Sequence, residues 1–153
     1  MVGPPGCGKS TYVEDLVNSG YAYISADFYI EQLAQAQGKT YGEVFKTAMK
    51  DAEKKMMIRV KQAVNDQENI VWDQTNMSVK SRAGKLAKLG GKYTLKAITF
   101  ELSRDELDRR LAKRVSEGGK SIPKFVIDSM MANYQRPSSA EEFESVQIIN
   151  DKG

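Results

Sequence analysis

The stretch Gly3-Pro4-Pro5-Gly6-Cys7-Gly8-Lys9-Ser10-Thr11 fits the phosphate-binding loop pattern G-x-x-x-x-G-K-[ST] at every specified position. Residues 3–10 are called the phosphate loop below. Its glycines allow the backbone to fold closely around phosphate groups, and a helix that begins near Lys9 adds its positive N-terminal end. We expect Lys9 to reach the β and γ phosphates of a nucleotide and the Ser10 hydroxyl to bind Mg²⁺.

The alternative interpretation is a glycine-rich surface turn that precedes a helix. The four fixed positions should arise by chance in a chain of this length on the order of once in two hundred, and residues 12–17 continue as the helix that the motif requires. Cys7 could be a nucleophile, but the chain has no histidine to activate it, so a small filler is the preferred interpretation. The predicted nucleotide-binding residues are Gly3, Gly6, Cys7, Gly8, Lys9, Ser10 and Thr11.

The composition of the 153 residues, 41% hydrophobic and 28% charged, is typical of one globular domain with a real core. One cysteine permits no internal disulfide and no apolar run approaches membrane-spanning length, so we expect a cytoplasmic protein without a membrane partner. The absence of histidine excludes Ser-His-Asp chemistry and leaves aspartate and glutamate to accept protons. A net charge of +3 is too small to indicate nucleic-acid binding by itself.

Strands and helices alternate along the chain, which predicts an α/β fold: a parallel sheet with helices on both faces, hence three layers. Only Met1-Val2 precede the phosphate loop, so the first strand looks truncated and we expect the natural protein to begin upstream. Asp27 and Asp73 each close a predicted strand. Because ligands bind at the carboxyl ends of parallel strands, both aspartates are candidates for the chemistry. The other strands are predicted near residues 21–25, 69–73, 92–102 and 145–149.

Helical periodicity predicts the buried faces of two helices. Thr40 and Glu43 form a capping-box pattern before the first helix. At helical spacing, core packing is favoured over a methionine-lined groove for a partner. The predicted core positions are Phe45, Met49, Ala52, Met56, Val60 and Ala63 in the first helix, and Val79, Ala83 and Leu86 in the second.

Basic residues are concentrated in two places. Residues 78–96 carry six basic side chains and no acidic one, which indicates either a solvated helix face or a surface for phosphates. In the helix that begins at Arg104, Arg110 and Arg114 share one face and could both reach a phosphate chain. Alternatively, the arginines of this helix form surface salt bridges with Asp105, Glu106 and Asp108.

Taken together, these residues resemble the phage polynucleotide kinase-like P-loop kinases, which phosphorylate 5′-hydroxyl ends of DNA or RNA with ATP and Mg²⁺. The resemblance covers almost the whole chain and implies one P-loop kinase domain over residues 1–153, the sheet order 2-3-1-4-5, a lid over roughly 104–123, and host-cell cytoplasm if the protein is phage-encoded. It rests on the phosphate loop, on Ile24-Ser25-Ala26-Asp27-Phe28-Tyr29, on Trp72-Asp73-Gln74-Thr75-Asn76 with Arg82, and on Lys120-Ser121-Ile122-Pro123 with the helix after it.

The resemblance also implies roles for single residues. The aspartate that matches Asp27 is the general base on the acceptor hydroxyl, and the one that matches Asp73 lies beside the metal and the acceptor. Arg110 and Arg114 match the lid arginines, with Glu117 as an alternative occupant of one of these positions. The implied catalytic residues are Lys9, Asp27, Asp73, Arg110 and Arg114, the Mg²⁺ ligands are Ser10 and Asp73, and the acceptor-binding residues are Asp27, Thr75, Asn76 and Arg82.

Three function classes are compatible with these patterns. A polynucleotide 5′-kinase is favoured, with ATP or another nucleoside triphosphate as donor and a polynucleotide 5′ end as acceptor. The alternatives are a kinase of a small metabolite or nucleotide sugar, and a nucleotide-binding switch module with little transfer activity. Asp27 disfavours the switch, which needs no base, and the basic segment 78–96 favours a polynucleotide over a metabolite.

Overall fold

The computed structural model describes residues 1–152, so Gly153, the last residue of the predicted domain, lies outside the described residues. No helix within the described chain is both long and apolar enough to cross a bilayer. Short 3-10 turns cover Ala87–Leu89 and Ser139–Glu141. The main elements are α1 (Lys9–Asn18), β1 (Ala22–Ile24), α2 (Ala26–Gln37), α3 (Tyr41–Asn65), β2 (Ile70–Trp72), α4 (Val79–Leu86), β3 (Leu95–Phe100), α5 (Arg104–Ser116), α6 (Lys124–Ala132) and β4 (Phe143–Ile149).

The strands pair in parallel, which confirms the predicted α/β fold. β1 pairs with β2, with Ala22 opposite Ile70, and β3 pairs with β4 along its whole length. Val2, just before the phosphate loop, forms a parallel bridge with Thr99 of β3. If the strand at Val2 is counted first, these pairs are the neighbours 2-3, 4-5 and 1-4 of the predicted order. Helices supply the crossovers that parallel pairing requires.

The chain divides into two compact units. The loop unit consists of Met1–Tyr12 and the chain from Thr75 onward, and it contains the phosphate loop, α4, β3, α5, α6 and β4. The helical unit is Val13–Gln74, with β1, α2, α3 and β2. The organisation of the whole chain as one P-loop kinase domain stays a prediction.

The core of the loop unit surrounds the phosphate loop. Leu107 of α5 and Ile127 of α6 are almost fully buried together with Cys7, and Phe100 and Leu102 complete the cluster. Apolar side chains from β3, α5 and α6 are thereby removed from water on one side of the loop, which is the main stabilising term for such a layer. Cys7 is therefore a core residue, in agreement with the interpretation as a small filler.

In the helical unit α2 packs against α3. Ser25 caps α2, Gly38 ends it in the left-handed conformation, and Thr40 with Glu43 forms the predicted capping box. The predicted core positions Phe45 and Met49 are wrong: Phe45 is exposed and Met49 is half-buried, because the buried face continues from Ala52 in four-residue steps to Ala48 and Val44. The buried residues of α3 are Val44, Ala48, Ala52, Met56, Val60 and Ala63.

The buried face of α4 also differs from the prediction. Val79 and Ala83 are exposed and Leu86 is half-buried, whereas Arg82 is only 3% exposed. Arg82 donates to both carboxylate oxygens of Glu141, at 2.8 and 2.9 Å. A guanidinium can be buried at acceptable cost when a carboxylate pairs with it and its donors are satisfied. The apolar spacing of α4 was therefore a misleading signal.

Leu107 offers a test of how α5 packs. Leu107→Ala should lower the free energy of unfolding by about 2–5 kcal/mol, because the truncation leaves a cavity in the core. Val115 lies on the same helix but is 46% exposed, so Val115→Ala should change stability by less than about 0.5 kcal/mol. Urea denaturation followed by circular dichroism measures both. Equal losses in the two variants would contradict the described orientation of α5.

Candidate functional site

Backbone conformation favours glycine at two positions of the phosphate loop. Gly6 and Gly8 have φ values of 79° and 105°, in a region that side chains disfavour. A Cβ atom on Gly6 would lie 2.8 Å from Leu111 Cδ2, and one on Gly8 would lie 3.2 Å from Arg110 Nη1. A side chain at either position would therefore strain the backbone and displace a side chain of α5.

Lys9, the first residue of α1, folds back over the phosphate loop. Its Nζ donates to the backbone carbonyls of Gly3, at 2.7 Å, and Pro4, at 2.9 Å. Ser10 and Thr11 follow in the first turn of α1, and both are exposed. The ammonium group, the exposed hydroxyls and the N-terminal end of a helix thus converge at the loop, an arrangement that favours an anion.

Arg110 of α5 contacts the phosphate loop directly. Its Nη1 donates to the Cys7 carbonyl at 3.0 Å, while its Nε donates to Glu106 Oε1 at 2.6 Å. From the sequence, Arg110 could either face a phosphate chain or form a surface salt bridge. In the structure it forms a salt bridge with Glu106 and also contacts the phosphate loop. Hydrogen bonds from Arg109 and then Arg110 lower the pKa of Glu106 to about 2.

Arg114 and Glu117 lie at the C-terminal end of α5. The Gly119 N–H donates to the Arg114 carbonyl at 2.8 Å, and a Cβ atom on Gly119 would lie 2.6 Å from Arg114 Cγ. Glu117 is the C-cap residue of α5 and lies 3.8 Å from the Lys113 ammonium. Of the two predicted lid arginines, Arg110 is therefore the one with a described contact to the phosphate loop.

Thr75 and Asn76 hold the backbone on both sides of Val2. The Gly3 N–H donates to the Thr75 carbonyl at 2.9 Å, and Asn76 Nδ2 donates to the Met1 carbonyl at 2.8 Å. Asn76 is buried and has a φ of 51°. These two predicted acceptor-binding residues therefore support the start of the phosphate loop.

Arg82, the third of the predicted acceptor-binding residues in the loop unit, is a supporting residue in this geometry. Its Nη1 donates to the Asn76 carbonyl at 2.8 Å, and its Nε and Nη2 donate to Glu141. All three guanidinium nitrogens are thus bonded within the protein. The described contacts of Arg82 are made to Asn76 and Glu141, so it acts on the phosphate loop through Asn76.

Asp27, in the helical unit, lies in the first turn of α2. The sequence predicted a strand that runs to Asp27, but the Ser25 hydroxyl accepts a hydrogen bond from the Phe28 N–H and α2 begins at Ala26. A carboxylate in the first turn is favoured by the helix dipole. Asp27 Oδ1 accepts a hydrogen bond from the Tyr41 hydroxyl, and the residue is exposed.

Asp73 follows β2 directly, as predicted. Its N–H donates to the Ile24 carbonyl at 2.8 Å, and its Oδ2 accepts from the Tyr23 hydroxyl at 3.0 Å. Burial, with the charge of Asp73 as a further cause, raises the pKa of Tyr23. Asp73 Oδ1 is buried and has no hydrogen-bond partner among the described residues.

A divalent cation fits this oxygen chemistry. An ionised oxygen that is buried without a donor is costly, and a cation ligand would remove that cost. Mg²⁺ prefers carboxylate and hydroxyl oxygens and usually takes only one or two carboxylates from the protein. The Asp73 carboxylate and the exposed Ser10 hydroxyl are ligands of this kind.

Three side chains at these sites were missed as site residues from sequence. Glu106 was considered only as a surface salt-bridge partner, yet it holds Arg110. Tyr23 and Tyr41 donate to the two candidate aspartates across 50 and 14 residues of chain. Contacts at such separations leave no local pattern, so no sequence signal marked these tyrosines.

Comparison with known proteins agrees with this architecture. A family described as AAA domain matches residues 1–137. A crystal structure of a candidate kinase from Chloroflexus aurantiacus superimposes with a TM-score of 0.71 and 15% sequence identity, covering 97% of this chain and 81% of that chain. At this identity the likeness shows the fold: an α/β architecture with parallel strands and helices.

Glu106 provides a pH test of its ion pairs with Arg109 and Arg110 on α5. In the folded protein its pKa is about 2, below the usual 4.5. A lowered carboxyl pKa contributes stability that is present above the usual value and is lost as pH falls through the folded value. The difference in free energy of unfolding between wild type and Glu106→Gln should therefore shrink from about pH 5 to about pH 2. A difference that is constant over this range, measured by urea denaturation, would contradict the paired carboxylate.

Proposed function

This chain belongs to the AAA domain family, and from the geometry of its phosphate loop we propose that it is an ATP-dependent kinase. The observation that carries the proposal is the Lys9 ammonium, held over the loop by the Gly3 and Pro4 carbonyls. A fold shared with a candidate kinase supports it. Positive charge held at the phosphates is the main requirement of phosphoryl transfer, and the positions of Lys9 and Arg110 at the loop support the proposal.

The donor half of the proposed site consists of the phosphate loop and α5. Lys9 binds the β and γ phosphates, and the backbone N–H groups from Gly6 to Ser10 surround them. Arg110 turns its Nη1 from the Cys7 carbonyl to a phosphate oxygen, while its bond to Glu106 keeps the guanidinium in place. Arg114, four residues further along α5, closes over the same phosphates as part of the lid.

Ser10 and Asp73 would hold Mg²⁺, whose charge, when bound, offsets the negative charge of the phosphate oxygens. The buried Oδ1 of Asp73 is the oxygen that supports this assignment. The hydrogen bond from Tyr23 to Oδ2 orients the carboxylate, so that Oδ1 remains the free coordinating atom.

The acceptor half of the proposal depends on Asp27 as general base. Its exposed carboxylate accepts a hydrogen bond from the Tyr41 hydroxyl, and in this proposal it takes the proton of the acceptor hydroxyl. The chain has no histidine to take this role. Thr75 and Asn76 contribute by holding the start of the phosphate loop, and Arg82 contributes through Asn76.

We propose the 5′-hydroxyl of a polynucleotide as the acceptor. Four of the six basic residues in 78–96 have exposed side chains that are accessible to phosphates, and one of them, Lys96, also lies 4.0 Å from Glu144. The other two, Arg82 and Lys85, are directed into the protein. The exposed basic residues are Lys80, Lys88, Lys92 and Lys96.

A small metabolite or a nucleotide sugar is the second candidate acceptor.

Lys9→Ala tests the donor site. Loss of one preorganised charge is commonly worth about 3 kcal/mol or more, so the rate of phosphoryl transfer should fall at least about a hundredfold. Lys46→Ala, on the exposed face of α3, is the control and should transfer phosphate at the wild-type rate. Circular dichroism establishes that both variants fold. Near-normal turnover in Lys9→Ala would overturn the kinase assignment.

Asp27→Asn tests the acceptor half. The asparagine oxygen can keep the bond to Tyr41, but it cannot accept a proton, so turnover should fall by about 10² to 10⁴ while ATP affinity stays near normal. The assay follows radiolabel from ATP to a 5′-hydroxyl oligonucleotide, with Asp51→Asn on α3 as control. Oligonucleotide affinity should also fall as salt rises, because bound phosphates release counterions. A small metabolite phosphorylated as efficiently, without a salt effect, would reject the polynucleotide acceptor.

A further inference from the structure

Lys85 brings a positive charge to the inner side of α4. The residue is half-buried, and its Nζ donates to Asn76 Oδ1 and lies 3.4 Å from the Ser81 hydroxyl. No carboxylate among the described residues forms an ion pair with it. Burial lowers the pKa of Lys85 to about 8. A half-buried ammonium without a counter-charge lowers the stability of the folded protein. A role for Lys85 is therefore more readily found in its hydrogen bond to Asn76.

The charged groups that share this location compensate each other. Arg82 lies one turn before Lys85 on α4, and Glu141 comes from the 3-10 turn Ser139–Glu141. These two form a bidentate ion pair with 3% and 9% side-chain exposure. The Lys85 charge therefore acts mainly on the amide of Asn76.

Asn76 receives a bond on each of its oxygens. Arg82 donates to its backbone carbonyl and Lys85 donates to its side-chain oxygen. An ammonium group donates and cannot accept, so Lys85 determines which end of the amide carries the oxygen. The Nδ2 atom is then directed to the Met1 carbonyl, with which it forms a hydrogen bond of 2.8 Å.

The contacts continue from Asn76 to the phosphate loop. Thr75, the preceding residue, accepts the Gly3 N–H, so consecutive residues hold the backbone at Met1 and at Gly3. The Gly3 carbonyl in turn accepts a hydrogen bond from the Lys9 ammonium. The group held by Lys85 is thus two hydrogen bonds away from the residue proposed to bind phosphate.

We propose that Lys85 is a positioning residue of the phosphate loop, which acts by orienting the Asn76 amide and thereby holding Met1 and Gly3. Without the ammonium, the amide oxygen loses a charged donor, and the hydrogen bond from Nδ2 to the Met1 carbonyl is less firmly held. The first residues of the loop then open more often, and Lys9 loses a fixed carbonyl. The expected effect on nucleotide binding rests on the proposed function, whereas the effect on the backbone does not.

Hydrogen exchange at the Gly3 amide tests the positioning role without a nucleotide. In Lys85→Met, Gly3 should exchange about tenfold faster than in wild type, the size expected for loss of a charged hydrogen bond. The Leu107 amide, bonded to the Ser103 carbonyl on α5, serves as an internal reference and should be unaffected. Lys46→Met makes the same chemical change on the exposed face of α3 and should leave Gly3 exchange at the wild-type rate. Lys85→Arg keeps the charge and should preserve slow exchange.

Nucleotide affinity as a function of pH gives the second measurement. Wild-type affinity for ATP with Mg²⁺ should fall as pH rises through about 8, because Lys85 loses its proton in this range. Lys85→Arg stays charged and should show no such fall. Lys85→Met should bind about tenfold more weakly than wild type below pH 8, and the two affinities should converge above it. A packing role alone would give wild type and Lys85→Arg the same pH profile, and this result would overturn the proposal.

The two measurements separate the positioning role from the proposed function. If wild type fails to bind ATP with Mg²⁺ but Gly3 exchange accelerates in Lys85→Met, the kinase assignment fails and the positioning role stands. If Gly3 exchange in Lys85→Met equals that in Lys46→Met, the positioning role is overturned whatever the nucleotide result. Urea denaturation controls for folding, and Lys85→Met should be at least as stable as wild type at neutral pH because a buried charge is removed.

Discussion

The close approach of α5 to the phosphate loop is the constraint on which the loop unit depends. The loop backbone favours glycine at positions 6 and 8 through its positive φ angles, and a Cβ atom at either would lie close to Leu111 or Arg110 of α5. The same helix buries Leu107 in the core with Cys7. Packing and chemistry therefore share one element: the burial that fixes α5 also brings the Arg110 guanidinium to the Cys7 carbonyl. A shift of α5 would therefore alter both the packing of Leu107 and the contact between Arg110 and the loop.

A polar network takes the place of an apolar seam beneath α4. Arg82 donates hydrogen bonds to the Glu141 carboxylate and to the Asn76 carbonyl, and these bonds offset the cost of burying the charge pair. The energetic gain of such a pair over an apolar replacement is small or negative. The ion pair instead contributes a defined geometry, because the hydrogen bond from Arg82 fixes the backbone of Asn76 more specifically than apolar packing does. Asn76 and Thr75 in turn hold the start of the phosphate loop through their hydrogen bonds with Met1 and Gly3.

The two candidate aspartates of the helical unit are arranged alike. Each accepts a hydrogen bond from a tyrosine hydroxyl at one oxygen, Asp27 from Tyr41 and Asp73 from Tyr23. A hydrogen bond of this kind fixes the orientation of a carboxylate, which is how supporting residues prepare metal ligands and general bases. Their environments differ: Asp27 is exposed, and the Oδ1 atom of Asp73 is buried. This difference suits a proton acceptor in the first case and a cation ligand in the second.

The phosphate loop, the α/β class and the capping box at Thr40 and Glu43 could be predicted from the amino-acid sequence, because each leaves a pattern among residues near one another in the chain. The burial of Arg82 and the exposure of Val79 could not be predicted in this way, since the partner Glu141 is 59 residues away and is brought to Arg82 only by folding. The tertiary structure likewise decided which tyrosine orients which aspartate. Periodicity records the residue types along one element, whereas the burial of a charged or polar group depends on a partner that another part of the chain supplies.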